Sequence, residues 1–152
     1  MSALWGTSAP LTSDLIVPFE IGVAVLLVVG ALLVRRGHIR AHMVVQTTMV
    51  LVNIPVVLIW MVPQYLAYVL PDLPGEIGEA AYLVPTVMLV AGAAAEVLGM
   101  YVVLVAGTNL VPERYRFRRY KLWMRTELVL WWSVILFGLL TYYSWYILGG
   151  LS

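Results

Sequence analysis

Four long apolar runs, each bounded by charged residues or Pro/Gly turns, constrain this chain more than any motif does. They cover residues 15–34, 41–70, 80–110 and 128–149, and a helix needs roughly 20 apolar residues to cross a hydrocarbon core. With 62% of residues hydrophobic and only 11% charged, there is too little polar surface to enclose these runs in water. The expectation is an all-α integral membrane protein: a four-transmembrane-helix antiparallel bundle forming a single membrane domain over residues 1–152. The second and third runs exceed the need, which predicts tilt or a kink at Pro55, Pro63 or Pro85. The connections are short: a basic turn at 35–40, an acidic Pro/Gly turn at 71–79 and a longer basic link at 111–127. Such links join antiparallel neighbours.

Charge supplies the orientation. All nine Lys and Arg fall in the two basic connections: Arg35, Arg36 and Arg40 in the first, then Arg114, Arg116, Arg118, Arg119, Lys121 and Arg125 in the second. Loops rich in these residues stay cytoplasmic, so both termini are expected on the extracytoplasmic side with Asp14, Asp72, Glu76 and Glu79. The N-terminus carries neither the basic region nor the cleavage site of a signal peptide, and the first helix is expected to be retained. The chain has no Cys, which excludes thiol catalysis, thiolate metal sites and disulfides.

The run RYRFRRYKLWMR interleaves cations with Tyr115, Phe117, Tyr120 and Trp123. Each cation near an anionic membrane surface contributes about 1 kcal/mol, and the aromatic rings settle at the interface. This segment is expected to touch lipid headgroups or a partner's acidic face. A segment pinned to a bilayer is not expected to bind nucleic acid.

Chemistry in such a bundle is sought among the polar residues that lipid makes expensive. Glu96, mid-span in the third run, shares a face with Gly92, Gly99 and Val103, within about 60° at helical spacing. That small-residue face should point into the bundle. Glu96 is then either a carboxylic acid hydrogen-bonded across helices or a proton-, quinone- or partner-directed group. In the second run His42, Gln46, Asn53, Trp60 and Gln64 fall within about 40° of arc, a stripe that joins helices or lines a polar pocket. His38 and His42 have the four-residue spacing of a metal pair, but Gly37 beside the first makes its helical geometry doubtful and no third His is present. The fourth run aligns Glu127, Trp131, Gly138, Tyr142 and Trp145. Glu127 is expected to pair with the basic link, the outer aromatics to anchor at the interface, and Glu20 to snorkel outward.

The order of these features resembles the small bacterial and archaeal membrane family called domain of unknown function 420, some of whose members are associated with assembly of haem-copper terminal oxidases. The resemblance runs from about Arg35 to Ile147. It is carried by GHIRAHM with His42, and by RRYKLWMRTELVLWWSVILFGLLTYYSWYI with Arg125, Trp131, Gly138, Tyr142 and Tyr146. Gln64 and Tyr120 stand where the family has histidines, and the third run has Glu96 and small residues where the family has another. The resemblance implies a multi-pass protein of a bacterial or archaeal plasma membrane in a respiratory setting.

These features and the resemblance support two functional classes. The preferred one is a noncatalytic accessory or assembly subunit of a respiratory, haem-copper-oxidase-type complex, with membrane lipids and other membrane-protein subunits as partners. The alternative is a quinone-, haem- or proton-handling four-helix protein centred on Glu96 and the His42/Gln46/Asn53 stripe. Haem or quinone would be its cofactor, beside bound lipid.

Overall fold

The computed structural model describes Ala9 and residues 11–108, 110–116 and 118–148. Phe117, Gly149 and the Tyr120 side chain, all named above, lie outside the described residues. Among the described residues the chain is helical, without strands, and four helices are long and apolar enough to cross a membrane: Ser13–Arg35, Ile39–Tyr68, Ala80–Gly107 and Lys121–Tyr146.

The first long helix, α1 (Leu11–Arg35), turns one seam inward. Ser13, Glu20, Val23, Leu27 and Gly30 are buried at spacings of three, four and seven, the repeat of a helix packed along its length. It stops at Gly37, which has φ of 78°, a left-handed conformation natural only to glycine. The His38 N–H then reaches the Leu33 carbonyl and the Gly37 N–H that of Val34, capping the helix end.

The second long helix is three pieces in one rod: α2 (Ile39–Val56), a π-helical segment (Val57–Met61) and α3 (Val62–Tyr68). Pro63 has no N–H to offer the Ile59 carbonyl, and its ring crowds that carbonyl. Widening the preceding turns to π geometry relieves the clash, so the kink expected among these prolines is a local π segment. After the short α4 (Leu73–Glu76) come the long α5 (Ala80–Gly107) and, beyond a single 3-10 turn (Glu113–Tyr115), α6 (Tyr120–Tyr146).

α6 begins eight residues before the apolar run that revealed it. Lys121 and Arg125 sit in its first turns, not in a loop as expected. Charge ends an apolar run, but Lys, Arg, Leu and Met are all good helix formers. Conversely α5 ends at Gly107, short of residue 110, where Thr108 turns extended.

α1 packs on α2 and α6, and α5 packs on α6 and α2, so α1 and α5 occupy one diagonal of an antiparallel bundle. The core joins Val23 and Leu27 of α1, Met49 and Val50 of α2, Ala95 of α5, and Trp131 and Ile135 of α6. Gly30 admits His42 and Gln46, and Gly99 admits Val50 and Glu127, so the backbones approach closely where a side chain would hold them apart. The outer surface is apolar: Val44, Ile59, Val90 and Val129 are each more than 60% exposed.

Candidate functional site

Among the described residues a cavity lies toward each end of the bundle interior, and Trp131 forms part of the wall of both. The first, about 350 Å3, receives Glu20 from α1, Asn53 from α2 and Glu96 from α5. The second, about 450 Å3, receives His42 and Gln46 from α2 and Glu127 from α6, and opens toward Arg35 and Arg125.

Three glutamates from three helices thus face the interior. Glu96 accepts a hydrogen bond of 2.8 Å from Asn53 Nδ2 through Oε2, while its Oε1 is buried with no partner among the described residues. Glu127, 8% exposed, lies under Gly99 on α5, three residues along from Glu96. Trp131 Nε1 approaches the Glu127 carboxylate from one turn away without completing a well-formed hydrogen bond. Glu20, 5% exposed, rests its carboxylate against the bare backbone of Gly138 on α6, and its Oε1 is buried and unpartnered among the described residues.

Two of these positions correct the sequence reading. Glu20 does not snorkel outward and Glu127 does not turn to the basic link. Both belong to the inward seams of their helices, and glycines on the facing or neighbouring helix leave room for a carboxylate. Trp145 and Tyr142 are likewise not interface anchors. Trp145 is buried and donates to the Ala81 carbonyl at 2.8 Å, and the Tyr142 hydroxyl donates to Asp14 Oδ1 at 2.6 Å. Asp14 itself is fully buried at that end of the bundle.

The helix-two stripe divides among neighbours. His42 bonds the Gly30 carbonyl at 3.0 Å, Gln46 lies beside Gly30 with its Oε1 unpartnered, Asn53 reaches Glu96, and Gln64 donates to Ser13 at 3.4 Å. Trp60 is half-buried. His38 stands exposed in the turn while His42 points to α1, so the pair shares no site. Among the described residues no group of three His, Asp or Glu side chains is arranged to hold a metal ion.

In the basic link, Arg114 stacks over the Tyr115 ring at 4.7 Å and Arg116 donates to the Val111 carbonyl at 2.9 Å. Tyr101 of α5 donates to the Tyr115 carbonyl, tying the link to the bundle. Arg118, Arg119 and Lys121 are exposed.

Glu20, Trp131 as a shared wall and the Asp14–Tyr142 pair were not singled out by sequence reasoning as parts of one interior. The seven-residue repeat of Ser13, Glu20 and Leu27 is the signal that points Glu20 inward. The α6 residues that carried the family resemblance, Arg125, Trp131, Gly138, Tyr142 and Tyr146, all line one cavity or the other. Comparison with protein-family models, curated proteins and solved structures finds no match to this chain.

Proposed function

We propose that the chain is a multi-pass membrane protein whose interior passes protons between its two ends, working as a small accessory subunit beside a respiratory complex. The observation that carries the proton reading is the succession of Glu127, Glu96 and Glu20 along two cavities that share the Trp131 wall. Carboxyl groups held inside lipid persist there when they are paired, hydrated or used, and two of these three keep an oxygen without a partner among the described residues. Both cavities are large enough to hold water, and the second, with His42, Gln46 and Glu127 in its wall, is the more polar. His42 and Gln46 line the cavity at the basic end, and Tyr142 lines the cavity at the other. By the positive-inside rule the basic end is cytoplasmic and both termini are outside.

The accessory role rests on the resemblance to the oxidase-associated family, whose shared α6 residues line this same interior. In this reading the plasma membrane of a bacterium or archaeon is the setting, and the exposed apolar helix faces meet lipid and partner subunits.

Proton flux into liposomes tests the first claim. With a potassium diffusion potential and an entrapped pH dye, protein-bearing vesicles should acidify faster than empty ones, and Glu96→Gln should lose most of that excess. Flux equal to empty vesicles overturns proton passage. Elution in mild detergent as a lone chain, free of oxidase subunits, overturns the accessory role.

A further inference from the structure

We infer that the cavity lined by Glu20 and Glu96 is a binding site for a membrane-soluble molecule with a dihydroxylated aromatic head and an apolar tail, the chemistry of an isoprenoid hydroquinone. The inference needs the helices to lie in a bilayer but does not depend on proton passage.

Three features carry it. The first is polarity. The cavity wall is almost wholly apolar, yet Glu20 Oε1 and Glu96 Oε1 are both buried and lack donors among the described residues. A buried acceptor left unmade costs about 1–3 kcal/mol, and a turn of either carboxyl toward the cavity lets a ligand hydroxyl supply the missing donor. The second is geometry. α1 and α5 lie on one diagonal of the bundle, so Glu20 and Glu96 line the cavity from opposite helices. A flat ring with hydroxyls at its two ends offers donors in opposite directions, which a simple alcohol or a single phenol does not. The third is shape. Phe19, Tyr65, Trp131 and Trp145 bring aromatic surface to the walls, and about 350 Å3 falls within the range of small-molecule sites.

The entrance is at the π segment. The second long helix packs against α5 on either side of Val57–Met61 rather than along it. Leu58 and Val97, from the two facing helices, line the cavity while being more than 60% exposed to the outside. An apolar tail can therefore lie in this gap and run out into lipid while the head sits between the carboxyl groups.

The test is titration of the full chain in lipid nanodiscs with decylubiquinol, followed by quenching of tryptophan fluorescence. Decylubiquinone, which lacks the hydroxyls, and decanol, which lacks the ring, are the comparisons. Saturable binding is expected for the quinol, weaker by about tenfold for the quinone and absent for decanol. Glu20→Leu should weaken quinol binding by about tenfold or more. Leu58→Trp, a change on the outer surface that leaves the core untouched, should also weaken it by blocking the gap, and it decides the matter if Glu20→Leu does not fold. Equal, non-saturating partition of all three compounds overturns the inference. So does quinol binding unchanged in both variants. Quinol binding without proton flux would separate this site from the proton path.

Discussion

Asn53 donates a 2.8 Å hydrogen bond to Glu96, joining α2 to α5 at the middle of the bundle. Asn53 is 9% exposed, and its partner's other oxygen has no donor, so among the described residues this bond alone satisfies the Glu96 carboxyl. Interhelical bonds of this kind average about 0.6 kcal/mol and reach about 1.7 in membrane proteins. Asn53→Leu should lower stability by about that upper amount. Glu96→Gln keeps an acceptor for Asn53 and should lose less. Reversible unfolding in mixed micelles, run as a double-mutant cycle, measures the pair; additive losses would mean the two side chains do not cooperate.

Gly138 and Glu20 form a second cross-helix relationship, with the carboxylate filling the space where a β-carbon would stand. Gly138→Ala should therefore destabilise by about 1–3 kcal/mol, the range for overpacking a filled site. Shortening the intruding side chain removes the conflict, so Gly138→Ala with Glu20→Ala should recover part of the loss. Thermal unfolding of the two single variants and the double variant measures this. No recovery would place the clash elsewhere.

At the end of the bundle opposite the basic links, the Tyr142 hydroxyl donates to buried Asp14 at 2.6 Å. A typical intramolecular hydrogen bond is worth about 0.5–1.5 kcal/mol. Tyr142→Phe should lose an amount in that range while Tyr143→Phe, whose side chain is exposed, should lose little. Denaturant midpoints of the two variants give the comparison.

If Glu127 belongs to the proton path, Glu127→Gln should reduce vesicle acidification by about tenfold, and Lys121→Gln, on the exposed first turn of α6, should leave it unchanged. Equal flux in both variants would remove Glu127 from the path.

Topology has a clean assay because the chain contains no Cys. Gly75→Cys in the acidic turn should react with a membrane-impermeant maleimide on intact cells, and Arg118→Cys in the basic link only after permeabilisation. The reverse labelling pattern would invert the proposed orientation.

The number and approximate extent of the long helices were legible in the sequence because length and hydropathy are local properties. Asn53, Glu96 and His42 also stood out singly, as polar residues within or at the edge of apolar runs. Their partners did not. Asn53 and Glu96 are 43 residues apart and Asp14 and Tyr142 are 128 apart, and only the docking of helices decides which seam meets which.

The helix-two stripe illustrates the limit. Ideal spacing put Asn53 and Gln64 on one face, yet Asn53 reaches α5 and Gln64 reaches α1. The π segment between them adds residues to its turns, and each extra residue rotates the succeeding helix by about 100°.

The sequence by itself determined four apolar helices, their antiparallel order and the gathering of every Lys and Arg into two connections, since these properties are set by composition along the chain. Only the tertiary structure decided that Glu20 and Glu127 face inward with Glu96. Near a helix end a carboxylate can turn to water or to the core, and the glycines that make room for it inward lie mainly on other helices.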